Sequence, residues 1–453
     1  MRAIFLATAV AAVLTAPAHA AEDAHTRALA AGYKAAFLCS GVFNAGRPEA
    51  EIAADDLEGI YPDYQELVRT LPATVDREAK TVSVAFDPKL PPRVAAWRPN
   101  LGCAQLAIGA PASAIAALPR VTAKAPDLKA RAWPHGDADA TAAAPTALAP
   151  LLAQAFDAGV YGGKTTAVLV IRDGRIIGEQ YRPGYDLYTP QRTWSAAKSL
   201  TATVVGRAVR LGKAKVEAPA NIPEWKTPGD PRAAITLVQL MHMGSGLWTD
   251  GPGNRTDDVY LGGGLVTQWA THMPVEAAPG TRFRYANNDT LLAGRSIRAS
   301  LGDGQAALEF PFRELLWRIG MTHTTPETDA AGNYILSSQV WTTARDLGRL
   351  GLLYMNDGVW NGERLLPEGW SRFVATPAPA QPEKGPGYGA FFWLYGEAQG
   401  LPAGTYGMNG NRGQYVFIVP SKKVVIVRRG FDSATARFDE QRFASDVLKA
   451  LED

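Results

Sequence analysis

Thr193-Trp194-Ser195-Ala196-Ala197-Lys198-Ser199-Leu200 follows the helix-averse pair Thr189-Pro190 and opens a long helix-forming run. Residues three apart are neighbours on a helix surface, so Ser195 and Lys198 share one face. Ser195 falls in the first turn, where unpaired backbone N–H groups and the positive end of the helix dipole favour developing negative charge. A serine hydroxyl is a weak nucleophile until a base removes its proton, and a desolvated lysine can be that base. An isolated S-x-x-K is more often a capping serine followed by a solvated lysine. The meaning of this one therefore rests on what the rest of the chain brings to it.

Around this stretch, residues 146–453 read as one unit. A helix is expected over Leu148–Phe156. Two apolar runs, Ala167–Ile171 and Arg175–Tyr181, then flank Asp173-Gly174, a strong hairpin signal. Near the other end, Tyr415–Val419 and Val424–Arg429 flank Pro420-Ser421-Lys422-Lys423, and a terminal helix follows over Phe438–Leu451. Strands thus cluster at both ends, with mostly helical sequence between them. The expected class is α/β (α+β): an antiparallel sheet built from both chain ends, flanked by helices, with an inserted helical lobe.

Two further motifs belong to this unit. Pro279-Gly280 delivers Tyr285 and Asn287 on a short extended segment before a helix over Leu291–Ala299. A phenol near a lysine ammonium has its deprotonated form favoured, which suits Tyr285 to carrying a proton beside Ser195. Tyr354-Met355-Asn356 matches the same Y-x-N pattern, but Tyr354 continues the apolar helical stripe of Leu347, Leu350 and Leu353 and reads as core. The third motif, Met408-Asn409-Gly410-Asn411-Arg412-Gly413-Gln414, runs straight into the strand Tyr415–Val419. Glycines there allow close approach of backbone to a substrate, and the Gln414 N–H paired with that of Ser195 is a candidate oxyanion hole.

In this order the three motifs resemble the serine β-lactamase and penicillin-binding protein superfamily, in which S-x-x-K, Y-x-N and a K-T-G-like triad line one site. The resemblance is nearest to the class C-like branch of β-lactamases, D,D-peptidases, esterases and 6-aminohexanoate-dimer hydrolases. It includes Ile235–Leu247, Ser337-Ser338, Thr342–Leu347 and Asn356–Gly362, and spans about 146–453. It implies a β-lactamase/transpeptidase-like fold with Ser195 as acylated nucleophile, Lys198 as its base and Tyr285 as proton shuttle. Asn287 would hold the network or a substrate carbonyl. Asn411-Arg412-Gly413 is set against K-T-G, so Asn411, Arg412 and Gly413 are candidate binding residues. The cation at Asn411 is then missing, and Arg412 replaces it only if its side chain points inward.

The remaining regions concern compartment and support. Residues 1–20 read as a signal peptide, with Arg2, a short apolar core and Ala18-His19-Ala20 as cleavage site, which implies an exported, periplasmic or secreted chain beginning near Ala21. The apolar core is too short to span a bilayer, so no stable membrane anchor is expected. Residues 21–110 form an accessory region with a helical run over Ala28–Leu38, a helix start at Asp55-Asp56-Leu57-Glu58 and a strand over Thr81–Phe86; residues 111–145, rich in Ala and Pro, form a linker. The only two cysteines, Cys39 and Cys103, most simply make one disulfide in an oxidising compartment, two free thiols being the alternative. Without Arg2, 45 basic residues stand against 44 acidic ones, which removes the electrostatic case for a nucleic-acid partner. With two cysteines and no paired histidine spacing, no metal or cofactor is expected.

The expected function is a serine hydrolase of the 6-aminohexanoate-dimer-hydrolase or esterase type, acting on a small amide, ester or peptide; the sequence is silent on oligomeric state. The alternatives are a class C-like β-lactamase or D,D-peptidase, and a non-catalytic peptide-binding member of the fold. A G-x-S-x-G hydrolase is excluded because Met243 stands two residues before Ser245.

Overall fold

The computed structural model describes residues 16–59, 62–249 and 261–452. The chain begins with helix α1 (Ala16–Phe43) and the short helix α2 (Glu49–Asp55), which lead into an antiparallel sheet of four strands in sequential order, β1 (Ala73–Asp76), β2 (Thr81–Val84), β3 (Arg93–Arg98) and β4 (Gly102–Gln105). Helix α1 buries Tyr33, Phe37 and Leu38 against this sheet, where Val82 and Val84 are also buried. The Cys39–Cys103 disulfide ties α1 to β4. Of the expected signal peptide, residues 1–15 lie outside the described residues, and Ala18-His19-Ala20 falls within α1.

One element of this region differs from expectation. Asp55 and Asp56 end a helix rather than start one: α2 stops at Asp55, and Asp56 is its C-cap. Both carboxylates are buried against cations instead of capping N–H groups. Arg47 pairs with Asp55 at 2.7 Å and with Asp56. A tertiary charge network outweighs the local preference of aspartate for a helix start.

The second unit opens with helix α3 (Leu148–Gln154) and the hairpin β5 (Thr165–Arg172) and β6 (Arg175–Tyr181). At its turn Asp173 and Gly174 both have positive φ, 49° and 79°, as a two-residue turn of that type requires. Helix α4 (Ala197–Arg210) carries Lys198, α5 (Asn287–Ser300) follows the Y-x-N motif, and α6 (Ala344–Met355) holds Tyr354 in the core. The last strands are β7 (Gly387–Tyr388), β8 (Trp393–Tyr395), β9 (Thr405–Gly410), β10 (Gln414–Val419) and β11 (Val424–Gly430), before helix α7 (Glu440–Ala450). They join the first hairpin in one antiparallel seven-stranded sheet, ordered β7-β8-β9-β10-β11-β5-β6. The sheet is thus assembled from both ends of the unit, with the helical lobe between them.

Side chains alternate across a strand, and here both faces are covered. Leu169, Ile171, Val425 and Val427 join the core containing Leu347 and Leu350 of α6, while Val168, Val170, Val424 and Ile426 pack with Leu148 of α3 and Phe443 and Val447 of α7. Burial on both faces explains why these strands read as continuous apolar runs instead of alternating ones.

The segment 111–145 is packed along this unit. Trp133 is buried, the guanidinium of Arg349 donates to the carbonyls of Pro134 and Gly136, and Glu309 accepts from Thr122. The N-terminal unit is docked as firmly. Ser40, Asn44 and the Cys103 N–H all donate to the buried carboxylate of Glu327. Among the described residues no helix is long and apolar enough to cross a membrane.

Candidate active site

Ser195 lies in a single 3-10 turn, Trp194–Ala196, that continues directly into α4. Trp194 adopts φ 50°, a left-handed conformation costly for a bulky aromatic residue, so the turn depends on its surroundings. The guanidinium of Arg192 sits 4.0 Å from the Trp194 ring, and Phe37 of α1 packs on the same ring at 5.7 Å. Ser195 is half-buried and Lys198, one turn on, is fully buried.

Lys198 Nζ donates to Ser195 Oγ (3.3 Å), to Asn287 Oδ1 (2.5 Å) and to the Ser337 carbonyl (2.8 Å). Its partners are neutral, and among the described residues no carboxylate pairs with it. Burial disfavours the ammonium and draws its pKa down to about 7. The Tyr285 ring centroid lies 5.0 Å from the same nitrogen. That ring is stacked on Trp393 at 5.5 Å and meets Tyr388 edge-on at 5.9 Å. Burial raises the Tyr388 hydroxyl well above its usual range, so it stays protonated.

Ser195, Lys198, Tyr285 and Asn287 therefore converge from the start of α4 and the start of α5. Asn287 is the first residue of α5, with Ala286 extended before it, so the helix begins four residues earlier than the expected Leu291. Two residues on, Asp289 is buried and receives a hydrogen bond from Ser245 Oγ at 2.7 Å. Burial lifts its pKa to about 7. Sequence reasoning missed this pair, because Ser245 has no pattern that points to a carboxylate 44 residues away. It missed the Ser337 carbonyl as a lysine partner for a similar reason: a backbone acceptor has no residue signature.

The third motif is placed differently from the expected register. The strand that reaches the serine is β9, ending Met408-Asn409-Gly410, and Gly410 pairs with Gln414 across the hairpin. A Cβ added at Gly410 would run into the Thr193 carbonyl oxygen and lie 3.2 Å from the Ala196 nitrogen. Only glycine fits that approach. Asn411, Arg412 and Gly413 form the turn beyond it, with φ 60° at Arg412 and 82° at Gly413. The Gln414 side chain is buried in the sheet, donating to the Gly430 carbonyl at 2.6 Å and accepting from Arg429 at 2.6 Å. The Arg412 guanidinium is taken up elsewhere: it donates to the Asp55 carbonyl (2.5 Å) and to the Asp432 carbonyl (3.2 Å). It does not replace the missing cation at Asn411.

A cavity of about 540 Å³ opens above these residues, lined by Ser195, Tyr285, Trp393, Asn409, Gly410 and Asn411, among others. Trp393 supplies an aromatic wall. A hydroxyl beside a buried amine whose pKa is drawn down to about 7, at the floor of such a cavity, is equipped for acyl transfer without histidine. Among the described residues there is no group of three or more His, Cys, Asp or Glu placed to hold a metal ion.

Residues 152–439 match the β-lactamase family model, and the chain belongs to that family. It is 24% identical over 290 residues to a 6-aminohexanoate-dimer hydrolase of Paenarthrobacter ureafaciens, covering 58% of this chain and 72% of that one. Among solved structures it resembles a family VIII carboxylesterase (TM-score 0.54, 16% identity, 68% of this chain and 97% of the other) and a class C β-lactamase (TM-score 0.52, 19% identity, 68% and 96%). At these identities the structural likeness establishes a shared fold. The match to the family begins after the N-terminal unit.

Proposed function

We propose that this chain is an exported serine hydrolase that cleaves a linear amide or an ester through an acyl-enzyme on Ser195. The observation that carries the reading is Lys198: a buried amine with a pKa near 7, 3.3 Å from the serine hydroxyl and, among the described residues, without a carboxylate partner. Neutral Lys198 takes the Ser195 proton as Oγ attacks the carbonyl carbon. Tyr285 passes a proton to the leaving amine or alcohol, and water then releases the acyl group. The developing oxyanion is received by the Ser195 N–H and, as its partner, the Asn411 N–H in place of that of Gln414. Asn411 directly follows the glycine pressed against the serine turn and lines the cavity, which Gln414 does not. The relationship to a 6-aminohexanoate-dimer hydrolase favours a linear amide as substrate, and the fold shared with a carboxylesterase is compatible with an ester. Export is supported by the first twenty residues and by the disulfide.

The family match also favours a second reading, hydrolysis or capture of a β-lactam or cell-wall peptide. Against it stands the strand itself: the triplet pressed on the serine, Met408-Asn409-Gly410, carries no cation, and the Arg412 guanidinium is taken up by the Asp55 and Asp432 carbonyls. Turnover of p-nitrophenyl esters, linear amide dimers, D-Ala-D-Ala peptides and nitrocefin, each compared with Ser195→Ala, tests both. The proposal expects esters or linear amides to be hydrolysed and the alanine variant to be inert. Efficient nitrocefin turnover with inert esters would favour the second reading, and turnover retained by Ser195→Ala would remove both.

A further inference from the structure

The N-terminal unit lies outside the family match, yet it reaches the surroundings of Ser195 at two places. Phe37 of α1 packs on Trp194, the strained residue immediately before the nucleophile. At the other place the turn following α2 reaches the cavity, which Gly59 lines together with Ser195. That turn is held from both sides. Within its own unit, Gln65 accepts from the Gly59 N–H at 2.7 Å and donates to the Leu57 carbonyl at 3.0 Å. Toward the catalytic unit, Asp55 is the centre of a buried network. Its carboxylate meets Lys164 and Arg182 at 2.5 Å each and the Tyr185 hydroxyl at 2.9 Å, and its carbonyl receives Arg412 at 2.5 Å. The cation that follows β9 therefore clamps the N-terminal unit.

A buried carboxylate is tolerated only when its charge is matched, so this network fixes the relative position of the two units. The same three-residue turn, 411–413, lines the cavity and gives its Arg412 guanidinium to the Asp55 carbonyl. We propose that the N-terminal unit is a working wall of the catalytic cavity, in which the turn at Gly59, clamped through Asp55 and Arg412, limits the size of substrate that Ser195 acylates. The inference rests on the serine-hydrolase reading above.

Both native cysteines are in the disulfide, so a cysteine introduced at position 59 is the one free thiol. A Cβ built at Gly59 meets nothing within 4 Å among the described residues, and its φ of 71° makes Gly59→Cys a strained substitution. The thiol is capped with a methyl or a benzyl methanethiosulfonate, and p-nitrophenyl acetate and decanoate are compared. The benzyl adduct is expected to lower kcat/KM for the decanoate at least tenfold relative to the methyl adduct, with the acetate changed less than twofold. In a second variant, Gln65→Ala, which frees the turn without entering the cavity, the decanoate-to-acetate ratio is expected to rise at least threefold. Equal effects on both esters, or none in either variant, would overturn the wall. Turnover that survives in Ser195→Ala would instead remove the serine reading, so the two failures are told apart.

Discussion

Replacing Lys198 with methionine separates the lysine's chemistry from its energetics. The ammonium has an ordinary pKa of 10.5 and is drawn down to about 7 by burial. A shift of that size corresponds to about 5 kcal/mol of penalty on the charged form, at about 1.36 kcal/mol per unit. Below pH 7 the lysine is protonated in both folded and unfolded chains, and the folded state bears the whole penalty. Between pH 7 and 10.5 the unfolded chain holds a proton that the folded one has shed, so wild-type stability rises with pH across that window. Methionine fills similar space and does not titrate. It leaves the Asn287 and Ser337 oxygens without this donor, a loss that is the same at every pH. The stability difference between the Lys198→Met variant and the wild type should therefore shift by about 5 kcal/mol toward the wild type from about pH 6 to about pH 10.5. Urea unfolding of both chains at half-unit pH steps measures it, since other titrating groups cancel in the difference. Parallel curves would show that the lysine is not desolvated as described. In the same variant the rate of serine acylation should fall roughly 10²–10⁴-fold, the usual contribution of a general base. Wild-type kcat/KM should rise with pH through about 7, as the base becomes neutral.

Further outcomes follow from other residues. Gly410→Ala would force its methyl against the Thr193 carbonyl, so ester turnover should drop at least tenfold; unchanged kinetics would mean that β9 does not press on the serine turn. Asp289 keeps its proton up to about pH 7, well above an unfolded aspartate, so it lowers wild-type stability as pH rises from about 4 to 7. Asp289→Asn should accordingly gain about 4 kcal/mol on the wild type between about pH 4 and pH 8, read by thermal unfolding at both. Replacing Cys39 and Cys103 with Ser opens a loop of sequence separation 64 and should cost about 4 kcal/mol, read from the urea midpoint. Amino-terminal sequencing of exported protein should begin near Ala21; an intact Met1 would contradict the reading of residues 1–20.

What was legible in the sequence was local. Ser195 and Lys198 are linked by helix geometry over three residues, and Asp173-Gly174 by the dihedrals of a two-residue turn, so both arise in the structure as their spacing implies. The two-ended sheet followed from where the apolar runs fall. Properties set by distant partners were illegible. Two glycine-bearing triplets lie in a row at 408–413, and only strand pairing shows that Gly410 is the one against the serine. Strand alternation left the direction of Arg412 open, and a carbonyl some 357 residues away decides it. Asp55 and Asp56 read as a helix start because the local preference is real, but four cations from separate segments gather around them. The role of the N-terminal unit was hidden for the same reason, since its contacts with the site are all long-range.

The acyl-enzyme itself is the decisive species. Intact protein treated with a fluorophosphonate and digested should carry one adduct, on the peptide containing Ser195, and Ser195→Ala should carry none. A label at another residue, or equal labelling of the alanine variant, would contradict acyl transfer through Ser195.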